Sequence, residues 1–256
     1  MSEAPVTYRA ADGVGWITLN RPAVLNALNT ELAAALADHA ETAAADAGVC
    51  VVIVRGAGRA FCSGMDRTAL AGGAIGEAFY RHWNRALDRL EDMPKVSVAV
   101  LHGYSIGGGL QLASACDLRI ASEDAVLGLG ATRHGLIPDG SVLRLARIVG
   151  LGRAKELTLL NDDVTPAEAR AMGLVNRVVP DEKLLDETRD YVQMLLKRAP
   201  QSLGLAKKIL NMVANVDQTT AILMEGLAQS ILLRTEDHQE GLRAFRDKRK
   251  PQFSGK

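Results

Sequence analysis

Two short apolar runs, each followed by a glycine-bearing turn, constrain the fold of this chain most. Residues 49–54 and 96–101 are rich in β-branched side chains, which is typical of buried strands. Residues 15–19 alternate and predict another strand, and a helix between it and residues 49–54 should begin at Asn29 or Thr30 and end at Gly48. Strands that alternate with helices predict an α/β fold of parallel βαβ units, with a site at the carboxyl ends of the strands.

The rest of the chain shows a second helix-strand unit and then mainly helical patterns. These patterns predict helices over residues 78–90, 110–115, 154–160, 166–172, 184–197, 202–213 and 219–233, and strands over 118–121 and 126–129. The sequence Arg198-Ala199-Pro200 breaks the pattern. We therefore predict a core over residues 1–197 and a helical oligomerisation region over 198–256, although the apolar face of helix 219–233 would also suit packing back onto the core.

Composition excludes several classes of function. With 48% hydrophobic residues in 256, the chain can bury one core with a small appendage. Thirty basic and 30 acidic side chains cancel, so the balance disfavours nucleic-acid and anionic-membrane partners. The three cysteines lack metal-ligand spacing and are interpreted as packing residues. Residues 1–10 lack a signal pattern and no apolar run approaches the ~20 residues of a membrane span, so we expect a cytoplasmic protein.

Both glycine turns, residues 60–66 and 106–111, lie where a strand ends. A helix that begins near Gly109 points unpaired N–H groups and its positive dipole end outward, which would stabilise an anion. The alternative is that the glycines only allow close packing of helix on strand. The turn is not a phosphate loop, because no Gly-Lys-Ser/Thr follows, and Cys62-Ser63-Gly64 is not a nucleophile elbow, because Phe61 stands where that motif needs glycine.

Several motifs in a fixed order resemble one family. They are Leu19-Asn20-Arg21-Pro22 with Asn26-Ala27-Leu28, Phe61-Cys62-Ser63-Gly64-Met65-Asp66, Gly107-Gly108-Gly109, Gly135-Leu136-Ile137-Pro138 and residues 167–179. From about residue 6 to 253 the chain resembles the crotonase (enoyl-CoA hydratase/isomerase) family. The resemblance implies a ββα spiral rather than an open sheet, with a C-terminal helical trimerisation region. It implies a homotrimer or a dimer of trimers.

The same resemblance implies an acyl-CoA substrate whose thioester oxygen bonds the backbone N–H groups of Ser63 and Gly108. Coenzyme A would enter as part of the substrate, with no permanently bound cofactor and no metal. Residues expected to contact it are Ala60, Phe61, Ser63, Met65, Asp66, Phe245 and Lys248, the last two reaching the nucleotide of a neighbouring subunit. Asp66 would alternatively hold its loop through backbone N–H groups. Val24 and Leu25 stand where many relatives carry a basic residue.

The chain departs from the family's hydratases at both catalytic glutamates, whose positions hold Gln111 and Ala131. Glutamine can position water but cannot take its proton, and alanine can do neither. The remaining carboxylate is Asp139, which would act as a base or, alternatively, cap the next helix. His134 would assist Asp139 or be an ordinary surface residue. His82 and Trp83 lie on a helix that borders the acyl site in the family.

These residues predict enolate chemistry on an acyl-CoA thioester, foremost double-bond isomerisation with Asp139 as base, and make classical hydration doubtful. Two alternatives remain open at this point. One is a thioester hydrolase or lyase of the same family. The other is a non-catalytic acyl-CoA-binding scaffold that kept the fold after losing both glutamates.

Overall fold

The structure is a computed structural model that describes residues 3–256. Its strands are β1 (Val6–Ala11), β2 (Val14–Leu19), β3 (Val51–Gly56), β4 (Val96–Leu101), β5 (Tyr104–Ile106), β6 (Leu118–Ser122), β7 (Val126–Gly128) and β8 (Arg177–Val179). Its helices are α1 (Thr30–Ala45), α2 (Arg67–Ala71), α3 (Glu77–Asp92), α4 (Gly108–Ala115), α5 (Val142–Leu159), α6 (Pro166–Ala171), α7 (Leu184–Leu196), α8 (Pro200–Asn211), α9 (Gln218–Leu232) and α10 (Glu236–Arg246).

Consecutive strands enter two different sheets. The larger sheet has the order β1-β2-β3-β4-β6-β8 and is parallel except for the β1-β2 pair, and β5 pairs with β7 in a small parallel sheet. Thus β4 and β6 lie in the large sheet while the strands that follow them lie in the small one. This repeat is a ββα spiral, as the sequence predicts. β4 is buried along its whole length, which explains its unbroken apolar sequence.

Helix α1 confirms one of the predicted helix starts and corrects its end. Asn29 is the N-cap, and its side chain accepts a hydrogen bond from the Leu32 N–H at 2.9 Å. The helix ends at Ala45, so the predicted end at Gly48 is wrong. Asp46 closes the helix and accepts a bond from the Gly48 N–H at 2.9 Å, which forms a turn after the helix.

Some elements differ from the sequence prediction. β1 was not predicted, because this edge strand is half exposed and has no apolar run. Helix α5 begins at Val142, well before the predicted 154, and Gly150 inside it has a non-helical φ of 79°. Gly150 divides the helical pattern of this part of the sequence into two short segments. The short α2 and the strongly charged α10 were also not predicted.

The C-terminal helices differ in how they meet the core. On α8, the buried Lys207 ammonium donates to the carbonyl of Leu90 at 2.7 Å and pairs with Asp117 at 2.8 Å. In contrast, no residue of α9 is buried, and its apolar side chains Ile222, Leu223, Leu227 and Ile231 are all more than half exposed. Helix α8 is therefore docked on the core, whereas α9 contacts α8 but leaves its apolar face uncovered within residues 3–256, and the oligomerisation role stays a prediction.

Three further expectations concern cysteines, membranes and metals. Cys62 and Cys116 are buried and free, and burial raises the pKa of each thiol to about 12, so both are protonated packing residues. Across residues 3–256, no helix combines the length and apolar character that crossing a membrane requires. The same stretch contains no cluster of three or more histidine, cysteine or acidic residues arranged to hold a metal ion.

Candidate active site

A cavity of about 590 Å³ lies between the two glycine turns, at the carboxyl ends of β3 and β4. It brings together seven of the predicted site residues, which are Ser63, Met65, Gly108, Gln111, Ala131, His134 and Asp139. The other lining residues are Gly64, Arg67, Leu70, Tyr80, Ile106, Gly107, Leu129, Gly130, Leu136 and Ile137. The wall is mainly apolar with a few polar groups, which suits an acyl group that carries one reactive centre.

The first glycine turn is held by Asn26, which is fully buried with a left-handed φ of 57°. Its side-chain Nδ2 donates to the carbonyl of Ala57 at 2.9 Å and to that of Ala60 at 2.8 Å, and its Oδ1 accepts from the Arg21 N–H at 2.8 Å. Asparagine suits this position because it tolerates a positive φ and both donates and accepts. The Arg21-to-Asn26 motif therefore fixes the turn that faces the cavity.

We expect Asn26→Ala to lower the free energy of unfolding by about 3 kcal/mol, because it leaves several buried carbonyls without donors. Urea denaturation measures the change. Asn20→Ala is the matched control, since the Asn20 side chain makes one exposed bond to the Ala4 carbonyl. Equal stability of the two variants would show that Asn26 does not clamp the turn.

The backbone of the first turn corrects the predicted anion donor. The Ser63 N–H donates to the Leu25 carbonyl at 3.0 Å, so it is already paired within the fold. The turn pairs with Leu28 on both sides of Met65. The Leu28 N–H donates to the Gly64 carbonyl at 2.8 Å, and the Asp66 N–H donates to the Leu28 carbonyl at 2.9 Å. The Met65 N–H itself has no acceptor within residues 3–256. Met65 is therefore a free donor of this turn and Ser63 is not.

The second turn leaves its own donor free. Gly107 has a φ of 58°, and its N–H donates to the Gly128 carbonyl at 2.9 Å. Gly108 begins α4, and its N–H has no acceptor in the described part of the chain. A Cβ on Gly108 would lie 2.1 Å from Leu28 Cδ1, so close packing also requires glycine here. The close-packing interpretation of the glycines is thus confirmed, and the same packing leaves a free helix N-terminus beside the cavity, so the anion-binding interpretation stays a prediction.

Asp139 is half-buried, and its Oδ2 has no hydrogen-bond partner within residues 3–256. Burial raises the pKa of this carboxyl, and the Asp139 N–H and the Gln111 amide oppose the rise. The capping alternative is wrong, because the N-cap of α5 is Ser141 and no side chain caps that helix. Asp139 is therefore a carboxylate with an unpaired oxygen, and its protonation equilibrium is shifted towards the neutral acid.

The two positions of the missing glutamates line the cavity. The Gln111 side chain is 5% exposed, and its Oε1 accepts a hydrogen bond of 3.2 Å from the indole N–H of Trp83. Ala131 adds only a methyl group to the wall. His134 lies in an exposed turn at the rim, with no hydrogen bond to Asp139.

Tyr80 is a lining residue that the sequence interpretation missed. It is half-buried, and burial together with the charge of Asp139 raises the pKa of its hydroxyl. Its position on α3, one turn before Trp83, is the signal that would have indicated it. His82 on the same helix is not part of the cavity wall, and its Nδ1 is buried without a partner among residues 3–256.

Several residues predicted to contact coenzyme A lie elsewhere. Ala60 and Phe61 are fully buried behind the first turn. Asp66 caps α2 through the Thr68 and Ala69 N–H groups at 3.1 and 3.2 Å and pairs with Arg21 at 3.1 Å, which supports its loop-holding alternative. At the other end of the chain, Phe245 is 87% exposed, and neither it nor Lys248 lines the cavity.

Comparisons with known proteins relate almost the whole chain to one family. The sequence model of the family described as enoyl-CoA hydratase/isomerase matches residues 9–256. The chain is 34% identical over 251 residues to 1,2-epoxyphenylacetyl-CoA isomerase of Escherichia coli, covering 95% of this chain and 96% of the relative. It is 32% identical over 241 residues to 2,3-dehydroadipyl-CoA hydratase of the same organism, covering 94% of each. The crystal structure of enoyl-CoA hydratase from Bacillus anthracis matches with a TM-score of 0.92 at 34% identity, over 98% of this chain and 100% of that one.

Proposed function

Since this chain belongs to the enoyl-CoA hydratase/isomerase (crotonase) family, we propose that it shifts a carbon–carbon double bond in an acyl-CoA thioester, with Asp139 as the base. One observation carries this proposal. A carboxylate with an unpaired oxygen shares one cavity with two unpaired backbone N–H groups, at Met65 and Gly108. A base and an anion-stabilising pair are the two parts that enolate chemistry needs.

The proposed reaction moves one proton between two carbons. The thioester oxygen accepts hydrogen bonds from the Met65 and Gly108 N–H groups. Asp139 takes a proton from the carbon next to the thioester of a β,γ-unsaturated substrate, and the electron pair spreads onto the thioester oxygen as a dienolate. The protonated Asp139 then returns the proton to the γ-carbon, which leaves the α,β-unsaturated product and regenerates the carboxylate.

The energetic demands fit the site. Each oxyanion donor typically contributes ~3 kcal/mol of transition-state stabilisation, so the backbone pair supplies much of the catalysis without any side chain. Because burial raises the pKa of Asp139, its proton affinity lies closer to that of a useful general base than an exposed aspartate's does.

We expect crotonyl-CoA hydration to be slower by about 10³-fold or more than in relatives with two glutamates, because Gln111 and Ala131 cannot transfer protons. The measurement is loss of the enoyl thioester absorbance with chromatographic detection of the hydroxyacyl product. The double variant Gln111→Glu, Ala131→Glu is the matched gain-of-function control. Hydration by the wild-type chain at the rate of a two-glutamate hydratase would contradict the assignment.

Relatives with different activities show why the site residues must decide the reaction. The chain is about equally similar to a named isomerase and a named hydratase, at 34% and 32% identity. Identity alone therefore does not choose between the two reactions. The absence of carboxylates at 111 and 131 favours isomerisation.

Thioester hydrolysis is the second candidate, favoured because Asp139 is partly exposed and lines the cavity with an unpaired Oδ2. Asp139 would then attack the thioester carbonyl or activate water, and free coenzyme A would be released. Incubation with saturated acyl-CoAs separates the two reactions, because a saturated chain has no double bond to move. Release of thiol from them would favour the hydrolase.

We further propose that the apolar face of α9 is covered by other copies of the chain in a homotrimer or a dimer of trimers. Phe245 and Lys248 lie on or just after α10, away from the cavity of their own chain. This placement supports their proposed contact with the nucleotide of a neighbouring subunit's acyl-CoA. Sedimentation equilibrium tests the assembly, and a monomer would remove both proposals.

A further inference from the structure

Trp83 and Gln111 form a buried side-chain pair behind the cavity. Trp83 on α3 is 1% exposed, and its ring is stacked on Phe79 with centroids 6.0 Å apart and an interplanar angle of 17°. Its N–H donates to Gln111 Oε1 at 3.2 Å. Indole is only a donor, so it requires the oxygen of the amide and not the nitrogen. The Gln111 NH₂ group is thereby turned away from Trp83.

Gln111 and Asp139 line the same cavity. The residue after Asp139 also lies beside the indole that holds Gln111, because a Cβ on Gly140 would be 3.9 Å from Trp83 Nε1. The Gln111 amide opposes the burial-driven rise in the pKa of Asp139, although the two side chains do not reach full hydrogen-bond geometry. The other charged or titratable groups around this carboxylate are Tyr80 on α3, Arg67 and His134 at the cavity wall, and Arg144 on α5. Of these, Arg144 is already bonded to the Gly140 carbonyl and paired with Glu91.

We propose that Trp83 is a positioning residue, which holds Gln111 as a fixed amide donor facing the Asp139 carboxylate. This inference rests on the proposed role of Asp139 as base. It gives glutamine a function at position 111. A glutamate there would also accept from Trp83, but it would place a second carboxylate beside Asp139, and one of the two would then hold a proton. A neutral donor instead favours the charged form that accepts the substrate proton.

The first test is the pH dependence of kcat/KM for isomerisation in Trp83→Phe. Phenylalanine keeps an aromatic ring against Phe79 but cannot hold the amide. We expect kcat/KM to fall about tenfold on the acid side of the profile, where the carboxylate is harder to ionise, with less than about threefold loss on the alkaline plateau. Trp16→Phe is the matched control, because Trp16 lies on β2 against Arg55, away from the cavity, and should leave the profile unchanged.

Gln111→Met separates positioning from general packing, because it fills similar space without an NH₂ group. It should give the same acid-side loss as Trp83→Phe, and the double variant should give no further loss. Additive losses in the double variant would overturn the proposal. So would a uniform loss at all pH values in Trp83→Phe.

A carbon-13 titration of the Asp139 carboxyl, assigned with Asp139→Asn, tests the pair without turnover. The proposal predicts that the titration moves to higher pH in Trp83→Phe and Gln111→Met but not in Trp16→Phe. An unchanged titration in Trp83→Phe overturns the positioning role, whatever the enzyme's activity. The two proposals can also be separated. If the Asp139 titration moves in Trp83→Phe but Asp139→Asn stays fully active, Trp83 positions Gln111 against Asp139, and Asp139 is not the base.

Discussion

Replacing Gly108 with proline is expected to lower turnover by at least ~10²-fold, because proline has no N–H to donate to the thioester oxygen. Proline is tolerated at the first position of a helix, and Gly108 is the first residue of α4. The helix itself should therefore form. Steady-state kinetics on a folded variant measures the loss, which should fall on kcat more than on KM.

The control for Gly108→Pro must remove its steric effect, since any side chain at this position meets Leu28. Gly108→Ala keeps the N–H but places its Cβ at the same point. Both variants are therefore compared in a Leu28→Ala background, which opens space for the Cβ. Recovery of activity by Gly108→Ala and not by Gly108→Pro would isolate the N–H. Equal activity of the two would show that this N–H does not bind the thioester oxygen.

Asp139→Asn is expected to lower turnover by ~10²–10⁴-fold while leaving acyl-CoA affinity nearly unchanged. Asparagine keeps the size of the side chain but cannot accept a proton from carbon. Binding is kept because the backbone donors at Met65 and Gly108 are untouched. The two quantities are measured by single-turnover kinetics and isothermal titration calorimetry. Full turnover in the stable variant would end the role of Asp139 and direct attention to Tyr80 and His134.

The same substitution should stabilise the free protein at neutral pH. Burial raises the folded-state pKa of Asp139 above its unfolded value, so the folded state binds more protons between the two values and stability falls as pH rises through that window. Asparagine has no charge to bury and therefore avoids this loss of stability. The gain in the free energy of unfolding is about 1 kcal/mol at most, because the partial exposure of Asp139 screens its charge. Thermal denaturation should show the gain at neutral pH and none below the unfolded-state value.

The sequence predicted the parts of the fold that have a strong local signal. Strand β4 is confirmed at both ends, since its apolar run is buried on both faces. Helix α1 is confirmed at its start, because Asn29 caps it through a local hydrogen bond. Elements that depend on distant partners were not predicted. Strand β1 is stabilised by its pairing with β2 and not by its own sequence.

The site shows the same division between local and distant information. The two turns and Asp139 are visible as motifs, and the structure brings them to one cavity. The choice between Ser63 and Met65 as donor was not predictable, because it depends on which N–H the distant Leu25 carbonyl takes. Tyr80 and the contact of Trp83 with Gln111 likewise depend on how α3 packs over α4.

The central claim is that Asp139 moves a proton between carbons of an acyl-CoA thioester. It is tested most directly by incubating the wild-type chain and Asp139→Asn with a panel of β,γ- and α,β-unsaturated acyl-CoAs, with separate detection of isomerised, hydrated and free-CoA products. The account predicts isomerised product from the β,γ-unsaturated substrates with the wild-type chain and its loss in Asp139→Asn. Hydrated or free-CoA product in place of isomerised product, no product at all, or equal isomerisation by the two proteins would contradict it.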